Sequence, residues 1–162
     1  MDGLAMLYTR RSVRSFSKDV IDNDVISKIV KAGKLAATAR NEQPVEIVII
    51  KDKELKQTLA HATDYGKFIA EAPLCLIVFS KQTKYYLEDG SAAAQNILLA
   101  ARYFGIGSCW VAGDKKVYAT KIGELCNMPP DHKLICLIPL GYPEDKTVFK
   151  EKPIKNTDNK IL

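Results

Sequence analysis

Two short, almost unbroken apolar runs constrain this chain more than any other feature. Val45, Ile47, Val48, Ile49 and Ile50 form the first, ended by Lys51 and Asp52; residues 74–79, LCLIVF, form the second, directly after Pro73. Both are shorter than a helix needs, and β-branched side chains make up the first. They read as strands, and a strand apolar at successive positions is buried on both faces. Such a sheet requires helices to cover it, and the neighbouring segments supply them. Asp22 can cap a helix whose Val25, Ile26, Ile29 and Val30 share one face, with Gly33 near its end. Residues 53–62 form a short amphipathic helix on Leu55 and Leu59. In the stretch 89–104, Ala93, Ala94, Ile97, Leu98, Ala101 and Phe104 make a wide apolar face, and Gly105 stands where a left-handed terminator belongs. That helix is expected to be central, packed on more than one side. A short strand-like piece at 109–111, a helix over 116–126 and a strand over 134–140, interrupted by Pro139, complete the pattern before Gly141 to Pro143 turns into a polar tail.

The plan is one α+β domain spanning 1–162, with helices packed on a mixed sheet. Its 162 residues, 47% apolar and 27% charged, can bury a core without disulfides or a structural metal. No apolar run approaches the roughly 20 residues that cross a bilayer, and the first eight residues are too mixed for a secretory signal. No membrane association and a cytoplasmic location are expected. Cys75, Cys109, Cys126 and Cys136 lie far apart, with only His61 and His132 as nitrogen ligands, which argues against a metal site. The net charge of +5 comes from 24 basic and 19 acidic residues interspersed along the chain, a solvated surface rather than a nucleic-acid face. The local exception is the crowd of Arg10, Arg11, Arg14 and Lys18, which needs an anion or water. The tail over 150–160 is too polar to fold alone, yet Phe149, Ile154, Ile161 and Leu162 give it something to bury, so it is either loose or lies against a partner subunit.

Three strings carry chemistry. In RRSVRSF, residues 10–16, planar guanidinium forks suit bidentate phosphate recognition and Ser12 adds a hydroxyl; a solvated basic helix end is the plainer reading. In AATARNEQP, residues 36–44, Thr38, Asn41 and Gln43 can donate and accept hydrogen bonds, as a polyhydroxylated chain or a pyrimidine edge requires, or simply form a polar loop. In GIGSCWVAG, residues 105–113, three glycines let backbone approach a flat ligand beside Trp110 and Val111, although the dinucleotide spacing G-x-G-x-x-G is absent.

Taken in order, these strings resemble the FMN-binding nitroreductase family, whose sequences open on an RRS-like motif, continue with S-x-x-N-x-Q-P before a strand and close on an L-G-x-P turn. Here these are residues 10–14, 38–44 and 140–143, and GSAAAQNILLAARYFGIGS, residues 90–108, is similar to the family's long core helix. The resemblance covers nearly the whole chain. It implies a mixed, mainly antiparallel sheet with helices on both faces and an intertwined homodimer with FMN at the interface. Arg10, Arg11, Ser12 and Arg14 match contacts to the flavin phosphate and ring, and Lys150 and Lys152 match a second basic pair reaching the phosphate. Ala37, Thr38, Asn41 and Gln43 match residues that contact the flavin from the other subunit, and the tail, 144–162, would pack on that partner. Ala112 and Gly113 match a segment whose N–H groups approach the flavin N5 and O4, with Trp110 and Val111 beside the ring; Lys67 matches the pyrimidine edge more loosely.

The implied activity is hydride transfer from NADH or NADPH through FMN to a small acceptor such as a nitroaromatic, quinone, flavin or enone, by a ping-pong route without a catalytic side chain. The departures are Val45, where the family often has an aromatic, and Thr38 in place of Ser. In addition, only about ten residues separate Phe79 from Gly90, where larger relatives insert helices that wall the pocket. The competing reading is a flavin carrier with little turnover of its own. A nucleic-acid site is disfavoured because aromatic residues do not alternate with the basic ones.

Overall fold

The elements run α1 (Gly3–Thr9), α2 (Asn23–Lys34), β1 (Val45–Ile50), α3 (Lys53–Ala62), β2 (Leu74–Lys81), α4 (Tyr86–Tyr103), β3 (Gly107–Ser108), β4 (Val111–Ala112), α5 (Ala119–Leu125) and β5 (His132–Gly141). They are taken from a computed structural model that describes residues 2–155 and 160. The sheet order is β1-β2-β5-β3, with β4 also on β5, and every strand pairing is antiparallel. Among the described residues the one parallel feature is an isolated bridge between Ser12 and Ser108. The expected mainly antiparallel α+β sheet is therefore present.

The continuous apolar run of β2 has the predicted cause. Leu74, Leu76 and Val78 point into a core shared with α2 and α4, whereas Cys75, Ile77 and Phe79 point the other way, onto α3 and α5. Six alternating residues thus serve two cores. In β5 the alternation breaks once: Val78 pairs with Cys136 and Phe79 with Leu134, leaving Ile135 as an extra bulged residue. Ile135 and Cys136 consequently face the same core, while Leu134 and Leu137 face the other. Gly90 in α4 makes room for this bulge, since a Cβ there would lie 2.4 Å from Ile135 Cγ1. Pro139 is accommodated where β5 has no ladder on its second side, between the β4 partner Leu137 and the β3 partner Leu140.

Several helix ends behave as their residues dictate. Asp22 accepts the Asp24 N–H at 2.7 Å. At the end of α4, Gly105 takes φ +71, Ile106 N–H reaches the Ala101 carbonyl at 2.9 Å and Gly105 N–H the Arg102 carbonyl at 3.0 Å, the paired closure that glycine permits. Other ends differ from expectation. α4 begins at Tyr86, three residues early. α5 begins only at Ala119, after a turn that holds Lys115 at φ +60. The strand piece expected at 109–111 divides into β3 and β4, with Cys109 and Trp110 between them. α1 was not expected at all: it buries none of its residues, and Leu4, Leu7 and Tyr8 remain exposed. Among the described residues no helix is long and apolar enough to cross a membrane.

Candidate functional site

The stretch after α1 is extended and fastened at alternate residues. Val13 N–H donates to the Ser108 carbonyl at 2.9 Å and Ser17 N–H to the Tyr142 carbonyl at 2.8 Å. Val13 and Phe16 are buried; Val13 fills the place of the missing Cβ of Gly107, and Phe16, with Pro73, that of Gly141. With the apolar residues turned inward, Ser12 and Arg14 are exposed and Arg10 and Arg11 half-buried. Arg11 Nη1 donates to the Tyr8 carbonyl at 3.0 Å and to that of Arg10, but its Nε and Nη2 are buried without a partner. Among the described residues, Arg10, Arg11, Arg14 and Arg102 pair with no carboxylate. Unpaired buried guanidinium donors are costly, and a phosphate would supply the acceptors they lack.

Beside this stretch lies a cleft of about 240 Å³, lined among others by Arg14, Phe68, Trp110, Val111, Ala112 and Tyr118. Phe68 comes from the 3-10 turn Lys67–Ala70 and stands 5.8 Å below the Arg14 guanidinium. Tyr118 donates to the Ala112 carbonyl, and burial pushes its phenol up. Cys109 also lines the cleft; burial pushes its thiol up, partly offset by Arg14, which makes it a poor nucleophile. Lys116 is held by Asp64 at 3.3 Å, and Tyr65, 85% exposed, marks an open rim. Only residues 82–85 join β2 to α4, so that connection builds no wall over the cleft.

The expected site residues divide into three groups. Arg14, Trp110, Val111 and Ala112 meet in the cleft, next to Arg10, Arg11 and Ser12. Ala37, Thr38, Asn41 and Gln43 do not: Thr38 and Gln43 border a separate cavity of about 120 Å³ with Gly33, Lys34 and Val45. Two residues depart from the geometry expected of them. Gly113 cannot offer its N–H to a ligand, because it and Asp114 both donate to the carbonyl of the bulged Ile135 at 3.1 Å. Lys67 does not line the cleft; its Nζ donates to the His61 carbonyl at 3.2 Å.

The tail also differs. Glu144 accepts from Ser15 Oγ, and Val148 and Phe149 pack on Val13, Phe16 and Ala72, so 144–149 lie on their own subunit. The contacts expected with a partner subunit are thus replaced, over 144–149, by contacts within the chain. Lys150 and Lys152 are exposed directly after this anchor, and Ile161 and Leu162 lie outside the described residues. Sequence reading missed Phe68, Tyr118 and Arg102. The aromatic pair flanking Lys67 in DYGKF was a usable signal for the first; nothing in spacing marked the others.

A family model described as "Putative TM nitroreductase" matches residues 4–160. The chain belongs to the nitroreductase family. Within it, a "Putative NADH dehydrogenase/NAD(P)H nitroreductase" of Archaeoglobus fulgidus is 37% identical over 91% of this chain and 89% of its own. A solved structure of that same description from Bacteroides thetaiotaomicron superposes with TM-score 0.88 at 30% identity, covering 96% of this chain and 92% of that one. An FMN-dependent nitroreductase from Clostridium difficile superposes with TM-score 0.85 at 27% identity, covering 95% and 92%. At 162 residues this nitroreductase-family chain is a compact member, and the short 82–85 connection is where its compactness bears on the cleft.

Proposed function

We propose that the protein is a homodimeric, FMN-dependent oxidoreductase that passes hydride from NADH or NADPH to a small acceptor, a nitroaromatic, quinone, flavin or enone. The observation that carries this reading is the set of unpaired arginines, two buried Arg11 donors lacking acceptors among them, in the stretch whose Arg14 lines an aromatic cleft. Arg10, Arg11, Ser12 and Arg14 would hold the FMN phosphate, with Lys150 and Lys152 adding positive charge. Trp110, Val111 and Ala112 would flank the ring, and Phe68 and Tyr118 would exclude water from one side of it. When bound, FMN supplies the hydride-accepting and hydride-donating centre. The chain's own task is to orient reactants on one open face, which donor and acceptor use in turn. Lys116, which lines the cleft, would add positive charge near the ring, favouring the negative charge that reduction brings.

A dimer completes the site in this reading. Met6, Leu99, Ala100, Tyr103 and Phe104 line a groove of about 380 Å³ formed by α1, α2 and α4, and Leu4, Leu7 and Tyr8 are further exposed apolar groups of α1. A second copy covering that face would bury them and bring its own Ala37, Thr38, Asn41 and Gln43 toward the flavin.

The test is direct. Purified protein should be yellow, carry one FMN per subunit and oxidise NADH or NADPH with a quinone or nitro compound. Colourless protein that refuses added FMN contradicts the proposal. The open rim at Tyr65 favours a second reading, a flavin carrier; FMN binding without turnover against any member of an acceptor panel would select it.

A further inference from the structure

We propose that Arg102 is a positioning residue for phosphate recognition, tying the basic stretch near one end of the chain to the basic stretch near the other. The inference rests on the FMN reading above and extends it to a residue outside the cleft. Arg102 lies in the last turn of α4, half-buried. Its Nε donates to Thr9 Oγ1 at 2.9 Å, and that hydroxyl in turn donates to the Ala5 carbonyl within α1. Its guanidinium carbon stands 4.1 Å from the centre of the Phe149 ring. Thr9 directly precedes Arg10, and Phe149 directly precedes Lys150. One planar cation therefore contacts the last residue before each basic group, adding for Phe149 to its packing on Val13, Phe16 and Ala72.

The chemistry explains why an arginine stands there. A guanidinium can give an edge N–H to a hydroxyl while its face lies on an aromatic ring; an ammonium has neither plane nor fork. A basic side chain at a helix C-terminus is favourable for the macrodipole alone, but that accounts for neither the Thr9 bond nor the stacking on a tail residue 47 positions later. From Lys150 to Lys155 the side chains are exposed, so Phe149 is the last anchored point before the basic pair. Release of that anchor would lengthen the tether of Lys150 and Lys152 and lower their effective concentration at the phosphate.

The test uses the full chain freed of flavin and titrated with FMN and, separately, with riboflavin, which lacks the phosphate, following fluorescence quenching. Arg102→Met and Phe149→Leu should each raise the FMN Kd by about three- to tenfold and leave the riboflavin Kd unchanged. Phe149→Tyr, which keeps the ring, should match the wild type. Equal losses for the two flavins, or an FMN affinity unchanged in both variants, overturns the assignment. A wild-type chain that binds FMN no better than riboflavin would instead remove the phosphate reading on which it rests.

Discussion

The stretch 10–16 and the turn 38–43 are both polar, both free of glycine and both proposed flavin contacts, yet they are built in opposite ways. The first is extended and pinned through Val13 and Phe16 to its own sheet, and it leaves guanidinium donors unused. The second uses its hydrogen bonds internally: Gln43 N–H donates to Thr38 Oγ1 at 3.1 Å and Gln43 Nε2 to Asn41 Oδ1 at 3.0 Å. It also holds Arg40, Asn41 and Gln43 at φ +52, +55 and +49, a left-handed conformation that costs a non-glycine residue about 1–2 kcal/mol. Its grip on the rest of the chain is the Ala39 N–H donated to Asp89 Oδ1 at 2.9 Å, while Asp89 Oδ2 is buried without a partner. One region is relaxed and short of an anion; the other is strained and short of a donor. Two incomplete halves are what a site shared between subunits predicts of each chain alone.

The largest expected effect breaks the first half. Arg11→Met removes two unmet donors, so FMN affinity should fall about a hundredfold, from the loss of charge-assisted bonds worth about 1.5–3 kcal/mol each. The melting temperature of the flavin-free protein should hold or rise. A large drop in melting temperature with FMN affinity intact would make Arg11 structural. The next effect falls on the second half. Asp89→Ala should cost about 1–2 kcal/mol in denaturant unfolding and weaken FMN about tenfold, because the turn loses its anchor to α4. Asp89→Asn keeps an acceptor for Ala39 N–H and should restore most of both. If Asp89→Ala changes neither, the turn is not held from α4. The smallest effect concerns strain: Arg40→Gly, at an exposed left-handed position, should raise stability by up to about 1 kcal/mol and leave FMN affinity within about twofold. A destabilised variant would contradict the strain account.

The same contrast explains what the sequence disclosed. Features written in local residue chemistry were legible: the two-faced run of β2, the Asp22 cap and the Gly105 terminator. Features created by long-range approach were not. The bulge at Ile135 carries no mark in the run 134–140, although it takes the Gly113 N–H away from any ligand. Asp89 and Arg102 look like ordinary helix-surface charges until the turn, α1 and the tail arrive beside them. α1 escaped notice because periodicity is read from what a helix buries, and within one subunit this one buries nothing.

The shared-site claim is tested most directly by subunit mixing. Arg11→Met chains and Thr38→Ala/Asn41→Ala chains, each unable to retain FMN alone, are combined and allowed to exchange subunits, and bound FMN per subunit is measured. Statistical exchange puts half the dimers in mixed form with one intact site each, so FMN should return to about a quarter of the subunits. If the two half-sites instead belong to a single chain, every site carries one lesion, and FMN binding will not recover.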